Sequence, residues 1–322
     1  MSEAPIPART FPVSARAPGK CILFGEHAVV HGRPEVLLAV DLYSQVILRP
    51  STQHRLNGHP EDVLSNRYLS VLLEPPGTPT VDIRVVSRIP RAAGLGSSAA
   101  LCVAMAASLA ALDDGAERPA LAQRSFDVER EAQGVGSPGD TTASVAGGYV
   151  ALNAGEGERL WEVSDGERSW AVGRLPDPGW VWVLGYTGIP RQTADAVRAF
   201  GARVARSDGP NLLDRFEAVA RQGLRALLAA DREAVGRAMN ENHALLVEAG
   251  VSHPRLEALA NAVAPAALGA KLTGAGAGGS IVALPRPGRE VEASRRIAQA
   301  GGVPYVVRSA PTGVELVDPI AP

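Results

Sequence analysis

Apolar and polar positions along the chain follow two rhythms. VDIRVVS (81–87) alternates in the manner of a strand with one buried face, and Pro90 stops it before a glycine-rich loop. Residues 97–113 have the alanine-rich composition of a buried helix. ERPALAQRSFDVEREAQG (117–134) spells a second helix, opened by Pro119 and closed by Gly134. GGYVALN and RLWEVS read as short strands, LPDPG (175–179) as a break, and WVWVLGYTG as a buried strand. Helical stretches follow at 192–206, 211–229, 231–249 and 254–264. GAKLTGAGAGGSIVALP then reads as strand, glycine loop, strand, ahead of a helix at 288–300 and closing strands at PYVVRS and GVELVD. The break predicts two domains, 1–177 and 178–322, and no fixed-period repeat is visible.

Composition narrows what such a chain can do. With 322 residues, 46% of them hydrophobic, the chain exceeds what one core usually serves, which also favours two domains. A net charge of −2 with no basic run argues against a nucleic-acid partner. The longest apolar run, 99–112, is interrupted by Ser108 and is shorter than the ~18 residues of a membrane span. The first twenty residues are polar and proline-rich, with no signal-peptide core. Cys21 and Cys102 have no paired spacing, as expected of reduced thiols. The expectation is a soluble, cytoplasmic protein with no membrane partner.

The chemistry concentrates at glycines. RIPRAAGLGSSAAL (88–101) places glycines and two hydroxyls ahead of a helix, an arrangement that offers backbone N–H groups to a phosphate. It lacks the lysine of a Walker loop. Gly94, Gly96 and Ala99 also fit G-x-G-x-x-A, but a proline-containing loop precedes them and a second helix follows, which excludes the dinucleotide fold. Ser97 and Ser98 can cap the helix or supply a hydroxyl to a magnesium ion. A carboxylate should complete such a site, and Asp127, Glu129, Glu131 and Asp140 are the candidates downstream. Asp140 stands apart, because GSPGDTT puts it in a turn at a helix N-terminus. Of the 32 basic residues only Lys20 and Lys271 are lysine, and both neighbour glycines. In APGKCILFGEHAVVHG (17–32), Lys20, Glu26 and His27 read as charged groups held in an inward-looking turn.

APGKCILFGEHAVVHG, PRAAGLGSSAA and KLTGAGAGGS, in this order, resemble the three signature motifs of the GHMP small-molecule kinases, and the first is most similar to that of the mevalonate kinase branch. TGIPRQT (187–193) and NENHALLVEAGVSHPRLEAL (240–259) extend the resemblance across residues 14–285. It implies an α+β fold of two domains: an N-terminal mixed α/β nucleotide-binding domain and a C-terminal ferredoxin-like α/β domain, with the active site in the cleft between them. It also implies ATP as co-substrate, Mg²⁺ as cofactor and mevalonate as small-molecule acceptor; the family often dimerises, so a homodimer is admitted.

Residue by residue, the resemblance puts Gly94, Leu95, Gly96, Ser97, Ser98 and Ala99 around the ATP phosphates. Ser98 and Glu129 fall on the magnesium, and Asp140 pairs with Lys20 at the reacting hydroxyl. Glu26, His27, Thr273, Gly274, Ala275 and Gly276 fall in the substrate pocket. Three positions depart from the family pattern. GSPGD replaces a P-S-G-x-D order, Glu35 stands where a small apolar residue is usual, and Ala277 interrupts the third glycine loop, a minor change if its backbone φ is negative. Another GHMP kinase or a non-catalytic nucleotide sensor are the alternative readings.

Overall fold

A computed structural model describes residues 4–134, 136–190 and 193–319. The first half runs β1 (Val13–Phe24), a 3₁₀ turn (Ala28–His31), β2 (Glu35–Pro50), β3 (Arg55–Leu56), α1 (Glu61–Ser65), α2 (Arg67–Leu73), β4 (Val81–Ser87), α3 (Ser97–Leu112), α4 (Arg118–Gln133), α5 (Gly139–Ala146), β5 (Tyr149–Leu152), β6 (Glu158–Ser164) and β7 (Ser169–Leu175). The second runs β8 (Trp182–Tyr186), α6 (Thr193–Val204), α7 (Gly209–Leu228), α8 (Arg232–Glu248), α9 (Pro254–Val263), β9 (Ala267–Thr273), β10 (Ser280–Pro285), α10 (Glu290–Gln299), β11 (Val303–Val307) and β12 (Glu315–Leu316). No helix among the described residues is long and apolar enough to cross a membrane.

Two sheets organise the chain. The larger has the order β12-β1-β2-β5-β7-β6, with β4 on β2 and β3 on β4. Strand β1, between β12 and β2, is buried at every position but Arg16, so the period-2 signal of a strand is missing from its sequence. That is why Lys20 lies on a strand and not in the turn expected of it. The turn holds only Glu26 and His27. Helix α3 covers β1 and β2 with an alanine-rich face, since small side chains let a helix sit close to a sheet. The smaller sheet is antiparallel, ordered β11-β8-β10-β9. Counted along the chain this is 4-1-3-2, the split βαβ pattern of a ferredoxin-like domain. The two-domain fold is therefore as expected, with one addition: β12 returns to pair with β1, Ala15 opposite Leu316.

Helix α8 packs on β9 by direct backbone approach. A Cβ added to Gly269 would lie 2.2 Å from the Gly236 carbonyl oxygen. Gly269→Ala must push α8 away from the strand that carries Lys271, with an expected loss of roughly 1–3 kcal/mol in unfolding free energy by urea titration.

Candidate active site

The glycine loop is held by β1. The Lys20 backbone N–H donates to the Leu95 carbonyl at 3.0 Å, and its ammonium donates to the Gly94 carbonyl at 3.0 Å. This approach requires a bare Cα at Gly19, where an added Cβ would come within 2.7 Å of the Leu95 oxygen. Gly96 caps α3 in the left-handed conformation, and no side chain bonds to that end of the helix. Ser97 and Ser98 thus occupy the first turn rather than capping it.

The Lys20 ammonium is fully buried and pairs with Asp140 Oδ1 at 3.0 Å. Asp140 lies in the first turn of α5, whose other residues are all buried, so it is the polar group that this helix presents to the cleft. Of the three acids on α4, Asp127 and Glu131 are exposed, whereas Glu129 is 9% exposed. Gln133 donates to Glu129 Oε1 at 3.3 Å and to the Tyr68 hydroxyl. Tyr68 in turn hydrogen-bonds Ser98, while burial and the Glu129 charge push its phenol up from the usual range. Tyr68 and Gln133 together therefore link the two groups expected to hold the metal. A hydroxyl and a carboxylate fit magnesium, which takes few protein oxygens and keeps the rest for water and phosphate. No cluster of three or more His, Cys, Asp or Glu suited to a metal occurs among the described residues.

The opposite wall comes from β9 and the third glycine loop. Lys271, fully buried, makes an ion pair with Glu26 and donates to the Leu272 carbonyl at 2.8 Å. Burial pushes Lys271 down and Glu26 up from their ordinary ranges. His27 has a positive φ of 63°, bonds the Ala275 carbonyl through Nε2 at 2.9 Å and stacks on Phe200. Burial lowers its pKa to about 4, so at neutral pH the ring is uncharged and Nε2 carries the proton it donates. The Thr273 hydroxyl accepts from Ile22 N at 2.7 Å and donates to the Ile22 carbonyl at 3.1 Å, clasping the two domains. The Ser280 hydroxyl reaches the Ala93 carbonyl at 2.8 Å and ties the third loop's strand to the first glycine loop. Ala277 has φ 54°, so the condition for a minor change is not met, and its N–H donates to the Val251 carbonyl at 2.9 Å.

These walls enclose a cleft of about 550 Å³, lined by Lys20, Asp140, Glu129, Glu26, His27 and the Gly274–Ala275 backbone, among others. The family models "GHMP kinases N terminal domain" and "GHMP kinases C terminal" match residues 63–148 and 224–303. Mevalonate kinase of Pyrococcus abyssi is 32% identical over 94% of this chain and 97% of its own, and that of Methanothermobacter thermautotrophicus 34% over 84% and 89%. The chain belongs to the GHMP kinase family. The crystal structure of L. major mevalonate kinase in complex with R-mevalonate shares the fold, with a TM-score of 0.76 at 22% identity, covering 97% of this chain and all of that one.

In this GHMP kinase the sequence-predicted residues divide into three groups. Lys20, Asp140, Gly94 and the start of α3 meet at one point. Glu26, His27, Gly274 and Ala275 line the cleft, with the Glu26 charge already taken by Lys271. Thr273 and Gly276 lie behind it as structural elements: the Gly276 Cα abuts the Val251 carbonyl. Arg191 and Gln192 of TGIPRQT fall outside the described residues. Sequence reasoning missed Gln133, Arg168 and Phe200, which carry no motif and reach the cleft only through tertiary packing, and Tyr68, which bonds Gln133 and Ser98. His243 is structural, as expected, accepting from Leu272 N at 3.3 Å.

Burial, then the Lys271 charge, lowers the His243 pKa from 6.5 to about 4. Between those values the unfolded chain takes up the proton and the folded chain does not, so stability falls as pH drops from 6.5 to 4. Urea titrations across that window should give a shallower fall for His243→Asn than for the parent protein.

Proposed function

We propose that this GHMP kinase transfers the γ-phosphoryl group of ATP to the 5-hydroxyl of mevalonate, forming 5-phosphomevalonate in the cytoplasm. The observation that carries the chemistry is the single ammonium of Lys20, bonded at once to Asp140 and to the carbonyl of Gly94 in the phosphate loop. The substrate follows from the name borne by the relatives that match nearly the whole chain. We take 1–177 and 178–322 as the two domains, with the end of the chain crossing back to β1.

Phosphoryl transfer asks for positioning and for charge stabilisation where charge develops. The backbone amides from Gly94 to Ala99 and the N-terminus of α3 hold the phosphates. Asp140 accepts a hydrogen bond from the acceptor hydroxyl and aims its oxygen at the γ-phosphorus. Lys20 holds Asp140 in that place and presents a positive charge to the transferring oxygens. At ~4 Å and an effective dielectric of ~20, one such contact is worth roughly 4 kcal/mol. Ser98 and Glu129 would hold Mg²⁺, which when bound neutralises charge on the phosphates. The walls around Phe200 and Val197 restrict water at the reacting centre.

A coupled ADP-release assay over mevalonate, phosphomevalonate, galactose and homoserine should show turnover with mevalonate alone; ADP release with another member and none with mevalonate would replace this substrate. Lys20→Met and Asp140→Ala should each lower kcat by at least about 100-fold while nucleotide binding persists. Unchanged turnover in either removes the assignment. Ser98→Ala and Glu129→Gln should raise the magnesium concentration for half-maximal rate on the order of tenfold, and an unaltered magnesium titration contradicts their role.

A further inference from the structure

Glu35 opens β2 and is 2% exposed, yet the residue is part of the cleft lining. Its Oε2 has no hydrogen-bond partner among the described residues. The carboxyl rests against the backbone directly before Asp140: a Cβ added to Gly139 would meet Glu35 Oε2 at 2.4 Å. The bare Cα of Gly139 is therefore what admits it. The charged groups facing it are Asp140, Lys20, Glu26 and Lys271, and both lysines are already engaged, one by Asp140 and the other by Glu26. Glu35 thus lies at the reacting centre with no ion pair of its own.

A buried polar atom without a partner costs about 1–3 kcal/mol, a burden that persists at functional sites when a ligand supplies the missing bond. The ligand group can be narrowed by charge. An anion placed there would lie against Asp140 and against the Glu35 carboxyl itself, with Lys20 and Lys271 each taken up by another carboxylate. A hydroxyl, which both donates and accepts, suits the position. Burial first, and the neighbouring Asp140 charge second, push the Glu35 pKa well up, and a carboxyl accepts from a hydroxyl in either protonation state.

We propose that Glu35 is a specificity-determining residue whose carboxyl binds a second hydroxyl of the acceptor, in 1,3-relation to the one phosphorylated. The inference rests on the mevalonate reading, in which the tertiary hydroxyl at C3 stands in that relation to the hydroxyl at C5. Side-by-side carboxyls, Asp140 for the reacting hydroxyl and Glu35 for its neighbour, then read a 1,3-diol.

The test compares mevalonate with 5-hydroxy-3-methylpentanoate, which lacks the C3 hydroxyl, as substrates for the parent enzyme, Glu35→Ala and Glu35→Gln. The parent should prefer mevalonate on the order of 100-fold in kcat/KM, because a site built to bond a hydroxyl rejects the analogue lacking it. In Glu35→Ala the preference should largely collapse, mainly through the KM for mevalonate with the KM for ATP unmoved, and Glu35→Gln should retain most of it. Equal discrimination in Glu35→Ala and parent overturns the proposal. Melting of the ligand-free proteins supplies an independent reading: Glu35→Met should melt at or above the parent temperature, whereas a clear fall means a structural role and also overturns it. If the parent phosphorylates neither alcohol, the mevalonate reading fails on its own, and the 1,3-diol assignment falls with it; the melting comparison then still reports whether Glu35 is held without a protein partner.

Discussion

Two ammonium groups taken wholly out of water set the terms for the rest of this molecule. A buried charge without a counter-charge costs several kcal/mol, so Lys20 and Lys271 each require an anion at contact distance. Asp140 and Glu26 supply them, and each pairing fixes more than two side chains. Lys20 with Asp140 locks the start of α5 against β1 and the glycine loop. Lys271 with Glu26 locks the smaller sheet to the turn after β1. The cleft exists because both pairs form at once on facing walls. An arginine could serve neither place, since its planar fork needs more room and more acceptors than a compact ammonium.

The glycine loop can hold phosphate without a lysine of its own because the strand behind it brings one. The backbone of Lys20 anchors Leu95 while its side chain reaches Gly94, so loop position and ammonium position are fixed by the same residue. A loop lysine would be free to follow the phosphate. Here the charge stays put, beside the Asp140 carboxylate. Hydrogen bonds join the two neighbouring helices in the same way: Tyr68 and Gln133 link Ser98 on α3 to Glu129 on α4.

Much of the chemistry was legible in the motifs, and what was not follows from their local nature. Glu129 could be separated from Asp127 and Glu131 only by the family resemblance; in the fold the reason is helical phase, which turns one acid inward and the others to solvent. The serines at 97 and 98 suggested a cap, but a glycine fills that position because the loop arrives in a left-handed turn. Ala277 in the third loop would be a minor change only at negative φ, and its φ is positive, with its N–H turned to the carbonyl of Val251. Thr273 looked like a pocket residue and proves to be a clasp between domains, with both hydrogen-bonding capacities of its hydroxyl spent on Ile22.

What the sequence by itself determined is whatever depends on neighbours within a few turns of chain: the helices with their proline starts and glycine ends, the alternating strand at 81–87, the position of Asp140 at a helix N-terminus, and the order of the three glycine segments. Tertiary structure decided which charges meet. The bonds that assemble the site join residues 74, 245 and 251 positions apart, and no periodicity or spacing in the chain encodes such a contact. Burial decides it, because only in a closed core does an ammonium have to find its carboxylate, and only there does the unpaired Oε2 of Glu35 carry a cost.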